Sequence, residues 1–157
     1  MTVYLVRHAV AVGRSEWEAD DALRPLTKRG ERQASGLVEL LTGGDAEVAR
    51  VLSSPAVRCR ETVAPIASKL GLEVEVADAL AEGAKAKEAV ALVHEAEGRG
   101  ADTVLCAHGD LVPEIVRRLG REGMTWDGDL RFAKGSTWVL RFHGGRCVEG
   151  RYVPPCA

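Results

Sequence analysis

Residues 2–6, Thr-Val-Tyr-Leu-Val, are apolar or β-branched almost without a break. That is the pattern of a short strand buried on both faces. Asp102–Ala107 repeats it, and a second short strand is expected over 48–52. Residues 72–76 alternate Leu-Glu-Val-Glu-Val, which predicts a strand with one solvated face. Residues 137–142 and 146–153, joined by Gly144-Gly145, read as an antiparallel hairpin. Between the strands the period changes to that of helices. One helix is predicted from Lys28 to Leu41, with Thr27 as cap and Ala34, Leu37, Val38 and Leu41 on one face. A second starts with Ser54 as cap and Pro55 in its first position and ends at Gly71. A third is expected over 85–97, and a fourth, with Pro113 in its first turn, runs to Gly120. Residues 9–26 and 121–135 carry no period. Strands alternating with helices and closing in a hairpin predict a three-layer α/β/α sandwich, mostly parallel, with an antiparallel edge.

Composition narrows the function classes. The 157 residues suit one domain, with 46% hydrophobic and 28% charged residues. The net charge of -2 argues against nucleic acid as a partner but leaves room for a local basic pocket. No apolar run approaches a membrane span, and the chain opens directly on a strand. A cytoplasmic location is therefore the expectation. Cys59, Cys106, Cys147 and Cys156 show neither paired nor metal-like spacing; Cys106 reads as a small buried hydrophobe and Cys156 as the exposed one.

The predicted strand ends hold the chemistry. The first delivers Arg7 and His8, the second leads to Arg58, the third to Glu82, and the fourth to His108 and Gly109. In a parallel sheet these ends share one edge, where ligands bind. Two histidines, two arginines and a carboxylate suit phosphoryl transfer. Arginine orients phosphate oxygens, a neutral histidine can attack phosphorus, and a carboxylic acid can protonate the leaving oxygen. The glycines form neither a Walker loop nor a dinucleotide fingerprint, and no Gly-x-Ser-x-Gly elbow is present.

These motifs resemble a known family. Leu5-Val6-Arg7-His8-Ala9, Ser53-Ser54-Pro55-Ala56-Val57-Arg58-Cys59-Arg60-Glu61-Thr62 and Ala107-His108-Gly109 are similar, in this order, to the signatures of the histidine phosphatase, or phosphoglycerate mutase-like, superfamily. The small size and the stretch Asp20-Asp21…Arg24-Pro25-Leu26-Thr27…Gly30 resemble its SixA-like branch of phosphohistidine phosphatases. That stretch is also similar to the phosphatase-like domain attached to some actinobacterial Nudix hydrolases. The resemblance implies a single histidine phosphatase domain over residues 1–157. It implies that His8 carries the phosphoryl group, that Arg7 and Arg58 bind it, and that His108 donates to it. Glu82 is the best match for the acid–base residue, with Asp20, Asp21 or the substrate as other proton sources. Ala9 stands where the family commonly has glycine, and its methyl group is expected to narrow the pocket or shift the turn. No cofactor or metal is expected, because the arginines neutralise the phosphoryl charge.

Around this set, Arg14, Trp17, Asp20, Arg24 and Gly109 are candidate substrate-binding residues. Several keep a plainer reading: Arg14 as a solvated loop charge, Trp17 as loop packing, Asp20 and Arg24 as an ion-pair brace, Glu82 as a turn carboxylate. His94 and His143 read as surface residues. With little chain left for a lid, an open site suits a phosphorylated protein, phosphohistidine above all. A small phosphate ester of a nucleotide or sugar is the alternative substrate, and a non-catalytic phosphate-binding module the alternative role. The sequence leaves the oligomeric state open.

Overall fold

The computed structural model describes residues 1–157. Six strands, β1 (Thr2–Arg7), β2 (Val48–Ser53), β3 (Val74–Val76), β4 (Asp102–Ala107), β5 (Thr137–His143) and β6 (Arg146–Val153), form one sheet in the order β3-β2-β4-β1-β5-β6. The first four in that order are parallel; β5 and β6 add antiparallel to β1. Helices α1 (Lys28–Thr42), α2 (Val57–Leu70), α3 (Ala86–Gly98) and α4 (Leu111–Arg121) complete the α/β fold.

Strand alternation explains the layers. Tyr4 and Val6 of β1 pack with Leu37 and Leu41 of α1 and Val63 and Ile66 of α2. Val3 and Leu5 face the other way, into the cluster with Val93 of α3, Ile115 and Leu119 of α4, and Trp138 of β5. Each fully buried side chain of this kind contributes about 1.5–3 kcal/mol, so β1 anchors both layers at once. Cys106 is fully buried among the α1 and α2 residues, and all four cysteines are free.

Two predicted boundaries move. Helix α2 begins at Val57 with Ala56 as its cap, not at Pro55 with Ser54 as cap. The Ser54 hydroxyl still accepts from the Ala56 N–H at 3.2 Å, one turn before the helix proper, and also bonds His108 at 2.7 Å. Strand β3 begins at Val74 rather than Leu72, because the Leu72 N–H donates to Ala67 O at 2.9 Å and closes the end of α2. Pro65 lies inside α2.

The segment after β1 is the long connection that the sequence leaves without period. It contains two 3₁₀ turns, Arg14–Glu16 and Asp21–Leu23, and an isolated bridge between Ala11 and Leu26. Helix α1 presses directly on it. Thr27 caps α1 by accepting from the Gly30 N–H at 3.1 Å, and a Cβ on Gly30 would lie 2.0 Å from Val10 O. Alanine at Gly30 must therefore push α1 away from the backbone that follows His8. We expect Gly30→Ala to lose about 1–3 kcal/mol, as for overpacking. Gly98, with open space around its missing Cβ and an ordinary φ, should instead gain up to about 1 kcal/mol on conversion to alanine. Denaturant unfolding of the two variants checks the contrast; equal shifts would contradict it.

Candidate active site

The pairing of β1 with β4 builds the centre of the site. Arg7 pairs with Ala107, and the His8 N–H continues the ladder by donating to Ala107 O at 3.0 Å. His8 and His108 thus leave adjacent parallel strands side by side, their rings 5.4 Å apart. The His8 Nδ1 lies 2.8 Å from Ala9 O. A carbonyl only accepts, so Nδ1 carries the proton and Nε2 keeps its lone pair. Burial pushes His8 down to about 3. The bond to Ala9 O works the other way, and the positive fields of His108, Arg58 and Arg7 add to the depression. His8 is therefore a neutral imidazole at physiological pH.

Ala9, expected to narrow the cavity or shift the turn, is not part of the cavity wall. It is fully buried, donates its N–H to Thr62 Oγ1 at 3.0 Å, and packs with Ala11, Leu26 and Ala34 beneath the loop.

Arg7 is held by the poorly patterned 121–135 segment. Its Nη1 donates to Phe132 O at 2.7 Å, and the Gly135 N–H donates to the carbonyls of Arg7 and His8 at 3.1 and 3.0 Å. Gly135 adopts φ +81, a conformation that favours glycine. The Arg7 guanidinium lies over Gly109, where a Cβ would come within 2.5 Å of Nη2. Gly109 therefore acts by leaving room for the cation.

Arg58 is almost wholly buried, and a buried charge demands partners. Its Nη1 donates to Asp21 O at 2.9 Å, and its Nη2 to Asp21 Oδ2 at 3.2 Å and Glu82 Oε2 at 2.7 Å. Arg14 bonds the other Glu82 oxygen, and Arg24 bonds Asp21 Oδ1 at 3.1 Å and Val12 O at 2.6 Å. Partial burial of Asp21 opposes its charge. The hydrogen bond from Arg24 and the fields of Arg58, Arg24 and Arg14 outweigh that and hold its carboxyl below the usual range. The Glu82 turn is tied to the His108 loop by the Gly83 N–H, which donates to Asp110 Oδ2 at 2.9 Å.

Arg7 Nε, Arg58 Nε and His108 Nδ1 are buried polar atoms with no hydrogen-bond partner. The side chains that carry them line a cavity of about 340 Å³ together with His8 and Glu82. Two guanidinium N–H groups without acceptors and an unpartnered imidazole nitrogen, on side chains that share one cavity with His8, suit an oxyanion. A larger hollow of about 470 Å³ between residues 125–131 and 149–152 contains none of these groups. No group of three or more His, Cys, Asp or Glu side chains is placed to hold a metal ion.

The fold thus brings Arg7, His8, Arg58, Glu82 and His108 to one cavity, whose lining also includes Arg14, Arg24 and Gly109. Trp17 and Asp20 do not line it, although Asp20 lines an adjoining hollow of about 310 Å³ with Arg58, Glu82 and His108. The Trp17 indole N–H donates to Asp20 O at 3.0 Å, and the Asp20 carboxylate accepts from the Ala22 N–H at 3.1 Å, so both brace the loop. Asp21, named from the sequence as an alternative proton source, is instead the hub of three arginines, and Lys134, on the cavity wall, is an addition from the structure. Asp21 stands beside Asp20 in the motif stretch, whereas Lys134 lies in a segment with no period to mark it.

Residues 3–84 match the histidine phosphatase superfamily (branch 1). The chain is 34% identical over 157 aligned residues to an 8-oxo-(d)GTP phosphatase of Mycolicibacterium smegmatis, covering 98% of this chain and 48% of that protein. It spans about half the length of the curated relatives it matches. Among solved structures, a protein named SixA from Nakamurella multipartitia superposes with a TM-score of 0.80 at 26% identity, covering 99% of this chain and 96% of that one. The protein histidine phosphatase SixA complexed with tungstate superposes at 0.78 and 24% identity, covering 98% and 95%. With the paired histidines, the arginines around them and this match over more than half its length, the chain belongs to the histidine phosphatase superfamily.

Proposed function

We propose that this chain is a metal-independent phosphatase that transfers a phosphoryl group to His8 Nε2 and then to water. The observation that carries the reading is the set of three unpartnered buried nitrogens, on Arg7, Arg58 and His108, in one cavity with a neutral His8 whose Nε2 is free. The substrate phosphoryl lies between Arg7, Arg58 and His108, which stabilise its spreading charge. The Nε2 lone pair forms the N–P bond as the bond from phosphorus to the leaving group breaks. Glu82 gives the leaving group a proton; its carboxylate then takes one from the water that attacks phospho-His8. That second step releases phosphate and restores the free imidazole.

Arg14 and Asp21 hold the acid and the cation in register: Arg14 on Glu82, Asp21 on Arg58. An incoming phosphoryl oxygen competes with both carboxylates for Arg58, which frees Glu82 to face the leaving group.

The cavity of about 340 Å³ is lined mostly by polar side chains, and a phosphate presented on a protein, phosphohistidine in particular, suits it as substrate. The second reading is a nucleotide phosphate. It is favoured by the 34% identity to the 8-oxo-(d)GTP phosphatase and by Lys134 and Arg14 on the wall of the cavity. The ratio of kcat/KM for a phosphohistidine protein and for nucleoside di- and triphosphates decides between them.

His8→Ala should abolish the acid-labile phosphoryl-protein and lower turnover by at least a factor on the order of 10³. Rapid quench with labelled substrate reads both, and retained activity would overturn the mechanism. Glu82→Gln should slow turnover by about 10²–10⁴.

The depressed His8 also makes a pH prediction. The unfolded chain takes up this proton near 6.5, whereas the folded chain resists it until about 3. The neutral form contributes full stability above 6.5, and that contribution is lost as pH falls from 6.5 toward 3. In ¹⁵N NMR without phosphate, His8 should stay neutral and protonated at Nδ1 at pH 5. Titration near 6.5 would contradict the site as described.

A further inference from the structure

We infer that Ser54 is a positioning residue that sets the proton on His108, so that Nδ1–H always faces the phosphoryl group. The inference rests on the phosphatase reading for its consequence, but the proton itself can be observed without turnover.

The geometry leaves little freedom. Ser54 is buried, and its Oγ lies 2.7 Å from His108 Nε2. One lone pair of that oxygen is occupied by the Ala56 N–H at 3.2 Å. The hydroxyl proton remains, and Nε2 is the acceptor within reach. A neutral His108 that accepts at Nε2 must carry its proton at Nδ1. Nδ1 is a buried nitrogen with no protein partner, on a side chain that lines the cavity. If the ring takes a second proton as anionic charge builds up, Ser54 turns from donor to acceptor through its other lone pair. Nδ1–H is then kept in both charge states. A hydroxyl can serve both states; a side chain that only donates or only accepts cannot.

The rest of the Nε2 environment makes Ser54 necessary. Cys59 Sγ lies 3.5 Å from Nε2 and donates toward Ala107 O at 3.7 Å, so the sulfur turns lone pairs to the ring. Without the Ser54 hydroxyl, this sulfur is the neighbour that remains, and it favours a proton on Nε2. The Nδ1 lone pair would then face the phosphoryl oxygens and repel them.

The test has two arms. In ¹⁵N-labelled wild-type protein, His108 should carry a proton on Nδ1, whether the ring is neutral or cationic. A neutral ring protonated only at Nε2 would overturn the inference whatever the enzyme does. In Ser54→Ala, the neutral ring should move to the Nε2–H form and kcat should fall about 100-fold, the scale of a lost oxyanion donor, with KM nearly unchanged. Ser54→Thr, which keeps the hydroxyl, should recover most of the loss. Unchanged kcat in a folded Ser54→Ala protein would sink the inference while leaving the phosphatase reading intact. A wild-type enzyme that forms no phospho-His8 would sink that reading instead and leave the tautomer as observed.

Discussion

Parallel pairing of β1 with β4 is the constraint on which the site depends. The ladder places Arg7 opposite Ala107 and carries the His8 N–H onto Ala107 O, which leaves two imidazoles 5.4 Å apart at the sheet edge. Both strands are central and apolar on both faces, so register is set by two hydrophobic layers rather than by the site itself. A slip of one residue would turn every side chain of β1 to the opposite face. Packing that stabilises the domain therefore also holds the two histidines in place.

The site collects positive charge and leaves it partly unsatisfied. Arg58 is buried and depends on Asp21 and Glu82, while Arg7 finds a carbonyl at Phe132. The partners of buried Arg58 offset the cost of its burial, whereas the exposed Arg14–Glu82 pair contributes little to stability. Their use here is to orient: Asp21 and Arg24 tie the loop to Arg58, and Arg14 fixes Glu82. Three buried nitrogens, on Arg7, Arg58 and His108, still lack partners. The fold bears the cost of those groups, and an oxyanion would remove it.

Much of this was legible in the sequence because a local pattern marks it. Unbroken apolar runs identified β1 and β4, and the residues at their ends followed at once. Thr27 and Gly43 bounded α1 as expected. Ser54-Pro55 reads as a cap and first turn, and the Ser54 hydroxyl does accept from the Ala56 N–H, yet the helix starts only at Val57; its bond to a histidine 54 residues away carries no local mark. Ala9 stands where the family commonly has glycine, which raises the expectation of a narrowed pocket or shifted turn; its burial among Ala11, Leu26 and Ala34 depends on tertiary packing. Lys134 and the role of Phe132 O lie in a segment without period, where only the folded chain brings them to Arg7 and the cavity. Trp17 and Asp20 share the loop with Arg14 and Arg24, yet brace it from outside the cavity.

The central claim is that the three unpartnered nitrogens and His8 Nε2 together hold a transferring phosphoryl group. A crystal structure with vanadate or tungstate tests it most directly. The account predicts the metal centre of the oxyanion in line with His8 Nε2, its oxygens bonded to Arg7, Arg58 and His108 Nδ1, and Glu82 facing the outward oxygen. An oxyanion bound elsewhere, or one that leaves His8 and His108 Nδ1 untouched, would contradict it.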